Sequence, residues 1–457
     1  MTDRTELVEA VGELARFAAE LTFETVPADV RERLALLLTD LWGVTLAGAC
    51  TPEMTEFFSA WSREPGQAPV IGLNAGTTAK DAAFLNAVSA CLLELDEGNK
   101  HSQGHPAVHV VFSAMAAVQS SDRTVTGEEF LVAVVAGYEV AARFGRSLTR
   151  HPLWHTHGHW GAVGAACAAA VIARQPPEGI AAAMDASGGL MTVAPWKMVL
   201  DGNFTRNLWV ANAGIAGLHA AHLARAGLVF NVGALESSLG TLIGTINPAA
   251  LVHDLGMRWF ITEGYVKSHS SCAYTHGAID VIQALKRQHR FAVADVAEVV
   301  VTTTSLARPL FDGVAHNRLS AMFSFPFVVA AALLNQRVDP QAMDPVRPSF
   351  GHAQALSARV RMATSNEFDS LLPDARWVRV EITLADGSVI TESASNSIGD
   401  ADNSPLGAPE IAAKLTTLIG SANTARIERL VGELVPSSDA AATLAALSRL
   451  TTQGDAS

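Results

Sequence analysis

The chain has 457 residues, with 32 Lys and Arg against 45 Asp and Glu, giving a net charge of −13. It has no long basic run, which removes the electrostatic basis for nucleic-acid binding. Its four cysteines include no Cys-x-x-Cys spacing, which argues against an iron–sulfur or cysteine-rich zinc centre and fits a reduced compartment.

The length exceeds what one compact core holds, so two domains are expected. The longest small-apolar run, Gly161 to Ala173, falls short of the ~20 residues of a membrane span. The N-terminus has no apolar signal-peptide core. The expectation is a soluble, cytoplasmic protein that binds neither nucleic acid nor membrane.

Residues 5 to 260 read as successive helices. Val8, Leu14, Ala15, Phe17, Ala18 and Leu21 fall on one face at helical spacing. Pro27-Ala28-Asp29 reads as a helix start. Leu34 to Ala49 is apolar nearly all round, which predicts a buried central helix. Further helices are predicted over 79–95, 106–120, 127–147, 159–174, 179–187 and 203–226.

The pattern changes near residue 262. Ala297 to Thr304 and Ser357 to Met362 read as strands, and Trp377 to Glu392 as a hairpin turning at Asp386-Gly387, with a type I′ turn. Helices are predicted at 275–289, 326–335 and 410–420. The last forty residues return to helical spacing, and the tail Thr451 to Ser457 is expected to be disordered. The fold class is therefore mainly α with an α+β domain. A large helical domain is built from both chain ends (1–262 and 396–457), with a smaller α+β lid inserted (263–395).

Four segments carry candidate chemistry. The first, Glu94-Leu95-Asp96-Glu97-Gly98-Asn99-Lys100-His101, leads to His105-Pro106 and His109. Gly-Asn and Pro interrupt helical continuity, so it reads as a loop on a helical scaffold, where active-site groups concentrate. A solvated acidic turn is the competing reading. The second, Trp154 to Gly161, alternates His155, His157 and His159. These can serve as acid, base or carboxylate-binding groups near neutral pH. A metal site is the weaker option, because no His-Glu-x-x-His motif is present.

The third segment is Pro195-Trp196-Lys197, followed by Asp201-Gly202-Asn203. A lysine beside apolar and cationic groups can work as a base, whereas a surface lysine is the commoner outcome for such a residue. The fourth, Lys267 to His276, lies at the expected domain boundary, where clefts form. Lys267 and the hydroxyls suit a carboxylate. Cys272 with His269 or His276 raises a thiol–imidazole pair, but no cysteine-hydrolase signature surrounds it.

Taken together these segments resemble the 2-methylcitrate dehydratase (MmgE/PrpD) family, which includes 2-methylcitrate dehydratases, cis-aconitate decarboxylases and iminodisuccinate epimerases. The resemblance runs from about residue 7 to 420. It is carried by Asp40-Leu41-Trp42-Gly43-Val44, Leu95-Asp96-Glu97 with His105-Pro106, Ala136-Gly137-Tyr138-Glu139-Val140 and Trp154-His155. Lys197 with Gly202 and Arg206-Asn207, Lys267 with Ser271-Cys272 and Thr275-His276, and Phe323-Ser324-Phe325-Pro326-Phe327 complete it.

The resemblance implies a homodimer, no metal or organic cofactor, and a small anionic di- or tricarboxylate substrate. By motif position, Lys197, His105, His155 and Lys267 belong to the cleft, with Glu94, Asp96 and Glu97 as its acidic stretch. Lys197 and His155 are expected to exchange protons. Lys267, His105 and Arg206 are expected to hold carboxylates, and Cys272, His276 and His157 to line the substrate.

Two departures bear on activity. The Asp-Asp-Thr of cis-aconitate decarboxylases reads Asp96-Glu97-Gly98 here. The lid position that carries their catalytic His is Cys272. Both point away from decarboxylation. The expected activity is a dehydratase-type elimination on a hydroxy-polycarboxylate, with an epimerase of an imino- or amino-dicarboxylate second. A non-catalytic anion binder and a metal hydrolase rank lower.

Overall fold

In a computed structural model, residues 2–451 are described. All but the first residue of the Thr451–Ser457 tail lies outside them. The first helix, Arg4–Glu20, is capped by Asp3, whose side chain accepts from the Glu6 N–H. It buries Leu7, Ala10, Val11, Leu14, Ala15 and Ala18, the i, i+3, i+4 stripe of an amphipathic helix. In Ala28–Ala49 every residue from Leu37 to Leu46 is buried, as its all-round apolarity demands. It packs against Ala79–Ala90, Ala408–Ile419 and Ser421–Gly432, whereas Pro106–Gln119, Gly127–Ser147, Pro177–Ser187 and Thr205–Arg225 surround Trp160–Ile172. Their abundant Ala and Gly let backbones approach closely.

The apolar side chains form two large cores. One draws on residues from Leu7 to Val266 and, from the other end of the chain, Ile411 to Leu450. The second runs from Cys272 to Ile382 and also takes in Ala194, Val199 and Trp209. It surrounds a four-stranded sheet of β1 (Val296–Thr303), β2 (Val360–Thr364), β3 (Val378–Leu384) and β4 (Val389–Ala394), in the order β4-β3-β1-β2. Only β1 and β2 run parallel, joined by a crossover containing the helices Phe325–Leu334 and Pro348–Ser357. The protein is thus mainly α with a smaller α+β part.

The hairpin differs from its expected turn. The Gly387 N–H donates to Leu384 O, and the Leu384 N–H to Ser388 O. This closes a three-residue loop with Gly387 left-handed at φ 85°, the type I plus G1-bulge geometry rather than type I′. The second strand begins at Val360, because Ser357 ends a helix. The helix expected over 79–95 stops at Ala90, and the acidic loop begins beyond it. Three short strand pairs were not foreseen: Ala68–Pro69 with Gly76–Thr77, Gly98–Asn99 with Gly264–Tyr265, and Leu148–Arg150 with Gly244–Ile246. Among the described residues no single helix is long and apolar enough to cross a membrane.

Candidate active site

A helix C-terminus leaves carbonyls without intrahelical partners. Beyond Ala90 the chain passes through Cys91, Leu93 and Leu95, and three distant groups take their carbonyls. Arg206 Nη1 donates to Cys91 O at 2.9 Å, Ser270 Oγ to Leu93 O at 2.6 Å and Lys414 Nζ to Leu95 O at 3.1 Å. Lys414 also pairs with Asp40 at 2.7 Å. The loop end is therefore clamped by the helix Thr205–Arg225, by the segment around Ser270 and by the helix Ala408–Ile419. Farther on, Asn99 Oδ1 accepts from the His101 and Ser102 N–H groups and its Nδ2 donates to Phe260 O. Gly98 pairs with Tyr265. A side chain at 98 would collide with Tyr265, since a Cβ there would fall 2.3 Å from the phenol oxygen.

This clamp brings ionisable groups together in the interior. Glu94, at φ 54°, turns its carboxylate between Lys267, 2.9 Å from Oε1, and Arg206, which bonds Oε2. His105 precedes helix Pro106–Gln119, with Pro106 at its first turn. Its Nδ1 lies 3.0 Å from Asp96 and its Nε2 3.7 Å from Glu94. The Asp96 contact has the distance of an ion pair without the alignment of a hydrogen bond, so Asp96 acts on the ring through its charge. Burial alone would raise Asp96, but His105, Lys267 and Arg206 outweigh it and hold its carboxyl below the usual range. All of these side chains are buried.

His155 is fixed by a backbone pairing of Trp154 with Pro195 and by its own N–H to Ala194 O. Its Nδ1 accepts from the His157 N–H at 3.2 Å, which leaves the proton of the neutral ring on Nε2. Burial first, then the charge of Arg206, pushes both His155 and His157 well below the usual histidine range. The His157 ring stands edge-on to His105 and His155, at 4.7 and 4.6 Å between centroids, and neither of its nitrogens has a hydrogen-bond partner. His159 and His109 bond backbone carbonyls at 2.7 Å. Among the described residues no group of three or more His, Cys, Asp or Glu is arranged to hold a metal ion.

Three expected site residues lie elsewhere or behave differently. Lys197 is 82% exposed and pairs with Asp201 at 2.8 Å, so it does not share a proton with His155 in this arrangement. The reason is helical geometry. Trp196, the first residue of the short helix Trp196–Leu200, packs its ring 4.5 Å from His155, and the next residue points about 100° away. His276 is buried, donates to Ser271 O and packs against His269, which pairs with Asp280. It belongs to a neighbouring cluster. Cys272 is buried beside the site. Burial, then the charge of Glu94, pushes its thiol up to about 11, so it is no ready nucleophile.

Sequence reasoning missed Lys414 and Trp196 as partners of the site. Lys414 could have been noticed as the single basic residue in the apolar-spaced helix Ala408–Ile419.

A mainly helical protein with a smaller α+β part, which gathers carboxylates, cations and imidazoles in its interior, has the make-up of an enzyme. The N-terminal domain of MmgE/PrpD proteins matches residues 12–248 and the C-terminal domain 269–434. The chain belongs to the MmgE/PrpD family. It is 27% identical to a cis-aconitate decarboxylase-like protein of Aspergillus oryzae, covering 98% of this chain and 99% of the relative. A cis-aconitate decarboxylase of Aspergillus terreus is 25% identical over 93% of this chain and 92% of its own length. The human cis-aconitate decarboxylase is 24% identical over 70% and 68%.

Proposed function

We propose that the protein is a lyase that eliminates water from a small hydroxy-polycarboxylate by proton transfer at His105. The observation that carries this reading is the placement of His105, its Nδ1 3.0 Å from Asp96 and its Nε2 3.7 Å from Glu94, beside the cations Arg206 and Lys267. The cations take substrate carboxylates and align the carbon bearing the acidic hydrogen with His105 Nε2. That nitrogen accepts the carbon proton, and Asp96, 3.0 Å from Nδ1, stabilises the imidazolium that forms. The imidazolium then delivers its proton to the departing hydroxyl, so water leaves and His105 is regenerated. His155, kept neutral with its proton on Nε2, donates a hydrogen bond to the developing charge. This exchanges the roles first expected of His105 and His155. Lys197 enters the chemistry only if its short helix turns.

A second reading, decarboxylation of a cis-aconitate-like tricarboxylate, is favoured by the names of the relatives. Cys272 speaks for elimination. By resemblance it stands where those decarboxylases use a His, and its buried, protonated thiol is a poor substitute. A cytoplasmic homodimer without metal or organic cofactor completes the reading, on the family resemblance.

The test is a panel of hydroxy- and unsaturated polycarboxylates followed by NMR in deuterated water. A new C=C with loss of hydroxyl supports elimination. Release of carbon dioxide supports the second reading, and exchange with inversion alone would mean epimerisation.

A further inference from the structure

Arg206 and Lys267 are fully buried, and Glu94 already spans them, one carboxylate oxygen on each. Arg206 Nη1 is engaged with Cys91 O and its Nε has no partner. Its planar face lies over the Phe323 ring at 5.4 Å. The two fixed cations are thus matched by two carboxylates, Glu94 and Asp96. A further carboxylate brought beside them would be an unpaired charge in a buried place and would repel both. A substrate carboxylate also needs the same two donors that Glu94 holds.

We propose that Glu94 is a built-in competitor for the carboxylate subsite: an anionic substrate binds by displacing Glu94 from Arg206 and Lys267. This deepens the proposed function and rests on its assignment of those two cations to a substrate carboxylate. Two features equip Glu94 for the role. Its side chain is long enough to reach both cations from the loop. Its backbone sits in the left-handed region at φ 54°, which a non-glycine residue leaves readily when its side-chain contacts are released. Displacement would also remove the carboxylate 3.7 Å from His105 Nε2, clearing that nitrogen to face the substrate carbon. Glu94 would then set specificity. A ligand must bring enough carboxylates to outcompete it, so monocarboxylates bind poorly.

The experiment uses tricarballylate, a tricarboxylate with neither hydroxyl nor double bond, titrated calorimetrically into the full-length protein. Glu94→Gln keeps the shape and removes the charge. Glu94→Asp keeps the charge but is too short to span both cations. Both are expected to bind the probe about tenfold tighter than wild type. Unchanged or weaker binding to Glu94→Gln overturns the competition. Tighter binding to Glu94→Gln with none for Glu94→Asp shows that charge rather than occupancy governs binding, and also overturns it.

Failure of the underlying assignment has a different signature. If Lys267→Gln in the Glu94→Gln background keeps the tightened affinity, Lys267 is not a carboxylate ligand. Should neither Glu94 variant fold, a crystal structure of the wild type with the probe decides. Glu94 still bonded to both cations overturns the proposal, and a probe carboxylate in its place supports it.

Discussion

Lys267 and Lys197 show how far the same residue type can diverge in one protein. Lys267 is completely buried, in a segment tied to the acidic loop through the pairing of Gly264–Tyr265 with Gly98–Asn99, and its ammonium is held by Glu94. Lys197 is 82% exposed on a helix of five residues, with Asp201 as its partner one turn away. Both were expected in the cleft. Motif position places a backbone near a site, while the turn of a helix decides which side chain enters. At 196–197 the residue that enters is the tryptophan.

Four measurements probe this contrast between the two lysines and their surroundings. The largest effect is expected at the buried end. His105→Ala should lower kcat by about 10²–10⁴-fold, measured by steady-state turnover on the best substrate of the polycarboxylate panel. Next, Lys267→Met should reduce unfolding free energy by about 3–5 kcal/mol in urea melts, because it breaks a buried ion pair and leaves Glu94 with Arg206 alone.

A smaller, distributed effect is expected of acid. His155, His157 and His276 are held well below the histidine range by burial, with His109 at about 4 and His159 at about 3. Below their unfolded pKa of about 6.5 the unfolded chain takes up protons that the folded chain refuses, so stability falls as pH falls. Burial raises Glu97 to about 8 and Glu139 to about 7, which acts in the opposite sense above about 4.5, but the five histidines outnumber them. The melting temperature should therefore drop between about pH 6.5 and 5. A flat profile there would show that water reaches the histidines.

The smallest effect is expected at the exposed end. Lys197→Ala should change stability by at most about 1 kcal/mol, as for other surface pairs. Its turnover is a second readout of the same variant. A loss rivalling that of His105→Ala would show that the Trp196–Leu200 helix turns during the reaction.

Much of the fold could be read from periodicity alone. The helices at 106–120, 127–147 and 203–226 and the strands around 300 and 380 lie within a few residues of their expected bounds, because apolar spacing records which face is buried. The members of the buried cluster were legible as residue types: Glu94, Asp96, His105 and Lys267 were singled out from their segments, and Arg206 through the resemblance. What stayed hidden was how they meet. The carbonyls of Cys91, Leu93 and Leu95 are taken by residues from three remote stretches; nothing local marks Ser270 as a partner, and Lys414 stands out only as the lone basic residue of its helix. Exposure was equally hidden, since a lysine next to tryptophan reads the same whichever of the two turns inward.

The contact between Gly98 and Tyr265 also constrains how this sequence can change. Relatives of the cis-aconitate decarboxylase type have threonine at the position of Gly98, by resemblance. A threonine here requires the Tyr265 ring to move, because its first side-chain carbon would fall 2.3 Å from the phenol oxygen. A mutational route between the two loop types must therefore shift or trim the side chain at 265 along with the gain of the hydroxyl. Single-site libraries at 98 should be enriched in glycine, and the threonine form should be recovered more often from paired randomisation of 98 and 265.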